Sequence, residues 1–220
     1  MSTPEEMSAA LTATLFIFLG WLLGLLSPAV VEAIKKRHRN REIREAILSE
    51  LIEARYRLAI SAYALESRYV RHDRKLLEWF LPIAEGYRGP NPSTAIVNSV
   101  RNQLNTLSDA QFEELSRRTK AEEGGASTVK KFKVPYLESK LADVGIFDEK
   151  SQRLFLDIRS HFDLYNDHVD EHRLYFNLTF SNLSEANYEI ASQGVYNSYQ
   201  HLSTRARIII DRINELVPLK

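Results

Sequence analysis

The residues whose types and spacing are best suited to chemistry lie in "DIRSHFDLYNDHVDEHR", where Asp157, His161, His168 and His172 stand at i, i+4, i+11 and i+15. On a helix advancing about 100° per residue these four fall within an arc of about 60°. Imidazoles one turn apart, as in His168 and His172, can share a metal ion, and imidazoles also answer to pH near neutrality. The competing reading is the polar border of a helix packed on its neighbour. Nothing else in the chain suggests a reaction. Gly124-Gly125 lacks the strand and lysine of a phosphate loop, and Ser192 lacks the preceding glycine of a nucleophile elbow. There is no cysteine, which rules out a disulfide framework and a thiolate metal site. No catalytic residue is assigned and no cofactor is expected; whether the histidine edge takes a metal is left open.

The element carrying this edge is predicted as a helix from Glu149 to about Phe176, capped by Asp148, with its core stripe on Leu154, Ile158, Phe162, Tyr165, Val169 and Phe176. A final helix follows Ser184, with Leu202, Ala206, Ile209, Ile213 and Leu216 inward, Gly194 loosening its middle, and Tyr196 and Tyr199 free to line a surface. Between the two, "YFNLTF" (Tyr175 to Phe180) is the one stretch where a strand could hide. Upstream, apolar residues recur at Ile43, Ile47, Leu51, Ala54, Leu58, Ala62, Leu65 and Tyr69, a period near 3.7 that defines a long helix. Glu50, Glu53, Arg55 and Arg57 fall off that stripe and read as a solvated surface. Asp73 caps a helix after a break near His72, Ser93 or Thr94 caps another, and Ser108 with Gln111 forms a capping box. Residues 122–135 read as the least structured stretch, with "VKKFKVPY" as a charged loop tip, and Pro135 opens a short helix. The expectation is an all-α bundle of about five to six helices.

That bundle is preceded by a different kind of segment. No charged residue occurs from Ser8 to Val31, 24 residues, against the roughly 20 that cross a bilayer as a helix. Lys35, Lys36, Arg37, Arg39, Arg41 and Arg44 follow at once. They predict a cytoplasmic flank by the positive-inside rule and contact with anionic lipid headgroups. The organisation expected is a periplasmic terminus (1–8), a transmembrane helix (9–34), a basic juxtamembrane flank (35–44) and a cytosolic bundle (45–220) of a bacterial inner-membrane protein. Ala9, Ala13, Gly20, Gly24 and Ser27 share a narrow small-residue face that would let two copies of the helix approach closely, and Pro28 should bend its cytoplasmic end. Formal net charge is zero, so no global field favours nucleic acid, and direct DNA binding is not expected.

The order of membrane helix, basic flank and helical bundle resembles bacterial single-pass membrane proteins with a cytosolic HEPN-like helical domain, such as those accompanying RNA-targeting CRISPR effectors. The resemblance implies assembly into a membrane pore in antiphage or stress defence. It also implies self-association and contact with a cytosolic protein or nucleoprotein. RNA cleavage in HEPN domains uses an Arg and a His with four to six residues between them. Here Arg68 to His72 leaves three, Arg153 to His161 seven and Arg159 to His168 eight. The leading expectation is therefore an oligomeric membrane effector or pore. The alternatives are a membrane-tethered scaffold for a cytosolic partner, and a membrane-anchored metal-dependent hydrolase or nuclease.

Overall fold

A computed structural model describes residues 4–120 and 127–219, with the side chains of 4–11, 25–27 and 29 outside the description. By its internal contacts the chain divides into two units, 1–45 and 46–220. Among the described residues all regular structure is helical, without strands. Helix α1 runs Pro4–Leu65, α2 Arg74–Gly86, α3 Thr94–Thr106, α4 Asp109–Thr119, α5 Pro135–Ser139, α6 Glu149–Leu178 and α7 Glu185–Leu216. A π turn (Glu66–Val70) ends α1, and a 3₁₀ turn (Leu141–Ile146) follows α5. The count exceeds the five to six helices expected, because short elements between the long ones form helical turns of their own.

In the first unit, the side chains of Thr12 to Gly24 are all exposed, including Leu15, Phe16, Ile17, Phe18, Trp21 and Leu23. A Cβ added at Gly20 or Gly24 would meet nothing within 4 Å. Pro28 lies inside α1 without ending it. The predicted membrane segment, 9–34, falls within this helix. Among the described residues, however, no helix is long and apolar enough to cross a membrane. The side chains of Ala9 and Ser27 lie outside the described set.

The second unit is organised around the α1 stripe, whose residues from Ile47 to Tyr69 are all buried. Between Leu51 and Ala59 the helix is covered on most sides, and Arg57 alone is exposed. This overturns the solvated surface read for Glu50, Glu53 and Arg55, while Arg57 stays exposed. Arg55 is 5% exposed and donates through Nη1 to Asn214 Oδ1 (2.8 Å) and the Val217 carbonyl (2.6 Å), holding the end of α7. Glu50 accepts the backbone N–H groups of Tyr136 (2.9 Å) and Leu137 (2.8 Å), so a side chain of α1 caps α5. Glu53 accepts from Tyr87, whose ring stacks on Tyr56 at 3.8 Å.

Local capping follows the sequence closely. Asp73, Ser108, Asp148 and Ser184 each accept a backbone N–H in the first turn of the helix they precede, and Ser108 with Gln111 completes a capping box. Ser93 precedes α3 without a side-chain cap bond. "YFNLTF" forms the end of α6 and the turn after it, not a strand. Gly194 leaves α7 continuous; a Cβ there would lie 2.6 Å from the Tyr175 ring, so the glycine lets α6 and α7 close on that ring.

Candidate functional site

α6 and α7 are joined by a short turn and pack side by side, which sets residues of one opposite residues of the other in reverse order. The predicted histidine edge lies along this seam. Arg212 Nε sits 2.9 Å from Asp157 Oδ2, close enough for an ion pair, although the angle leaves Nε without a hydrogen bond. Arg205 Nη1 lies 2.9 Å from His161 Nδ1. The His168 ring stacks on His201 at 5.6 Å, and His172 Nδ1 lies 2.8 Å from Ser198 Oγ. In these four pairs the two residue numbers add to between 366 and 370, as an antiparallel helical hairpin requires. The antiparallel order is legible in the sequence from the turn between Leu178 and Glu185, but the register is not. Counting outward from the middle of that turn falls three to seven residues short of Ser198, His201, Arg205 and Arg212, because the two helices are offset along their axes.

The seam does not gather its histidines into one site. His161 is held between Asp157 (3.5 Å) and Arg205, His168 between Glu171 (3.4 Å) and His201, and His172 points into the core. Among the described residues no group of three or more His, Cys, Asp or Glu is placed to hold a metal ion. At the outer end of the seam is a cavity of about 570 Å³ lined by Glu149, Arg153, Asp157, Arg212 and Glu215 among others. Four of its charges pair with one another, Arg153 with Glu149 at 2.5 Å and Arg212 with Glu215 at 2.7 Å.

His172, fully buried, is the centre of a polar cluster around Ser127. Its Nε2 faces the Ser127 carbonyl at 3.0 Å; because a carbonyl only accepts, Nε2 carries the proton. Ser198 Oγ lies 2.8 Å from Nδ1 and 2.6 Å from the Val195 carbonyl, so its single proton serves one of the two at a time. The Tyr199 hydroxyl donates to the Ser127 carbonyl (2.9 Å) and accepts the Ser127 N–H (2.7 Å), and Ser127 Oγ lies 2.7 Å from the Tyr69 hydroxyl. Every polar group of Ser127 is thus engaged, beneath the Tyr69–Tyr199 stack at 3.9 Å. Burial pushes the His172 imidazole below its ordinary value and the Tyr199 phenol above its own, so both stay neutral near pH 7. Tyr199 was expected at a free surface; it is fully buried.

The cluster also corrects the expectation of a loose loop at 122–135. Residues 121–126, with Gly124-Gly125, lie outside the described set, but 127–134 are fastened to α6. Asn166 accepts the Phe132 N–H (3.0 Å) and donates to the Phe132 carbonyl (2.8 Å), Lys131 pairs with Asp170 (2.5 Å), and Val129 and Val134 are buried. Lys130 and Lys133 remain exposed.

In the first unit, Lys35, Lys36, Arg37, Arg39, Arg41 and Arg44 are exposed, with Arg41 paired to Glu45 at 2.7 Å and His38 near Glu42 at 3.2 Å. Ala13, Gly20 and Gly24 lie on the exposed apolar stretch. Neither part of the molecule has a counterpart that would assign it: no family model, no curated protein and no solved structure matches the chain.

Proposed function

We propose that the chain is a single-pass protein of the bacterial inner membrane that self-associates through the Ala13, Gly20, Gly24 and Ser27 face and acts as an oligomeric membrane effector or pore. The observation that carries this reading is the exposed run from Thr12 to Gly24. A helix apolar on all sides and open to its surroundings is matched to hydrocarbon, not water. At 1.5 Å per residue that run reaches about 20 Å, short of the roughly 30 Å hydrocarbon core. Spanning therefore calls on the uncharged residues to either side, from Ser8 to Val31. The exposed cations from Lys35 to Arg44 support a cytoplasmic flank against anionic headgroups.

The span has no charged residue to line an aqueous path, so a pore built from it would be narrow and gated by wetting. The test is to express the full chain, extract the membranes with carbonate and detergent, and measure particle size across a range of protein concentrations. Retention through carbonate and a defined oligomer that G20L/G24L reduces to monomer are expected. Release by carbonate, or a monomer at every concentration, defeats the proposal.

A second reading, a membrane-tethered scaffold for a cytosolic partner, is favoured by the tip of the α6–α7 hairpin, where Leu174, Phe180, Tyr188 and Ile190 are exposed. Dye leakage from vesicles holding the purified protein separates the two: a pore leaks and a scaffold does not.

A further inference from the structure

Among the described residues of the second unit seven large apolar side chains are exposed, and six of them belong to the α6–α7 hairpin. Three of the six stand on α6: Leu156 (52% exposed), Leu164 (41%) and Leu174 (59%). At about 100° per residue they share an arc of about 80°. The rest of the helix circumference is taken. The histidine seam faces α7, the stripe from Leu154 to Val169 is buried in the bundle, and Asn166, Asp170 and Arg173 hold the segment 127–134. The leucine arc is the side left open, and from Leu156 to Leu174 it runs about 27 Å.

The charges on that side have one sign. Asp163, Asp167 and Glu171, all exposed, interleave with the leucines at i, i+4 and i+8, a spacing at which like charges oppose one another. Little within the chain relieves them. Arg159, at the border of the arc, comes only to 3.9 Å from Asp163; Glu171 lies 3.4 Å from His168; Asp167 has no ion-pair partner among the described residues. An anionic lipid surface or a nucleic acid would set negative charge against negative, and so would a second copy laid on this face by a two-fold axis. We propose that the open face of α6 docks a basic amphipathic helix of a cytosolic partner protein. Its apolar side chains would cover Leu156, Leu164 and Leu174, and its Lys or Arg side chains would pair with Asp163, Asp167 and Glu171. A partner at this face belongs to the scaffold reading above, which dye leakage tests separately from the titration that follows.

The test places the full chain, ¹³C-labelled at leucine methyls, in phosphatidylcholine nanodiscs. Two helical peptides, each about as long as the face, are titrated in parallel: one of Leu and Lys, the other of Leu and Glu in the same pattern. Empty nanodiscs give the lipid background. The Leu/Lys peptide should bind and move the methyl resonances of Leu156, Leu164 and Leu174, leaving that of buried Leu202 in place. The Leu/Glu peptide should bind at least about tenfold more weakly. D163K/D167K/E171K, at exposed positions, should reverse that preference without shifting the thermal midpoint by more than a few degrees. No binding at millimolar Leu/Lys peptide overturns the proposal. So do equal binding of the two peptides, a preference that the triple variant leaves unreversed, and binding that leaves the three methyl resonances in place. Methyl positions that change without peptide, on adding phosphatidylglycerol to the discs or on raising protein concentration, assign the face to lipid or to a second copy and overturn it as well.

Discussion

Arg207 of α7 grips Glu66 of the π turn with two parallel bonds, Nε to Oε1 at 2.6 Å and Nη2 to Oε2 at 2.8 Å, while its guanidinium lies 4.0 Å over the Trp79 ring. Glu66 is the one buried acid among the described residues, and the fork is what makes its burial tolerable. Removing one partner strands the other. R207M should destabilise the chain by about 3 kcal/mol, and R207K by less, since a lysine keeps the charge but not the fork or the stacking. Urea unfolding followed by tryptophan fluorescence reads both.

His172 makes stability depend on pH in a direction that follows from its burial. Its folded pKa lies below the ordinary 6.5, so as pH falls the unfolded chain takes up the proton first. Stability is complete above about pH 6.5 and is lost progressively below it. His161 acts in the same sense, lowered by burial and by Arg205 and Arg212 against the pull of Asp157. Thermal unfolding at pH 7.5 and 5.5 should show a drop in midpoint for the native chain and a smaller drop for H172Q. An unchanged drop in H172Q would show that the titrating group lies elsewhere.

Tyr199 is the main clamp on Ser127, and Y199F removes both of its bonds to that residue's backbone. The orphaned N–H and carbonyl should cost about 1–3 kcal/mol, against about 1 kcal/mol for Y69F, which loses a hydroxyl pair on the side chain. Amide exchange should accelerate across 127–134 in Y199F while the middle of α6 stays protected. Uniform acceleration across both would mean the clamp acts on the whole bundle.

Glu50 caps α5 from α1, across 86 residues of sequence. E50A should cost about 1–3 kcal/mol and expose the Tyr136 and Leu137 amides to exchange. E50Q, which retains one acceptor oxygen, should fall between E50A and the native chain.

The helices and their starts were legible because caps and stripes are local. Asp73, Ser108, Asp148 and Ser184 declare themselves within four residues of the turns they cap. What escaped was set by distant partners. Arg55 looks solvated beside its own helix, and its burial is decided by Asn214 and Val217. "VKKFKVP" reads as a charged loop because Asn166, which pairs with both polar groups of the Phe132 backbone, lies 34 residues further on. The histidine edge was read as one arc of one helix. Its chemistry is divided among Arg205, His201 and Ser198, three residues of another helix that one-helix geometry cannot supply.

The charged side chains of α1 also set an order of events during synthesis. Glu66 leaves the ribosome 141 residues ahead of Arg207, and Arg55 leaves 159 residues ahead of Asn214. At about 5–20 residues per second that is an interval of roughly 7–30 s. Throughout it, the stripe from Ile47 to Tyr69 is made but lacks its α7 partners, with a carboxylate and a guanidinium waiting beside it. The last turns of α7 complete both pairs, so a nascent chain truncated before Arg207 has neither.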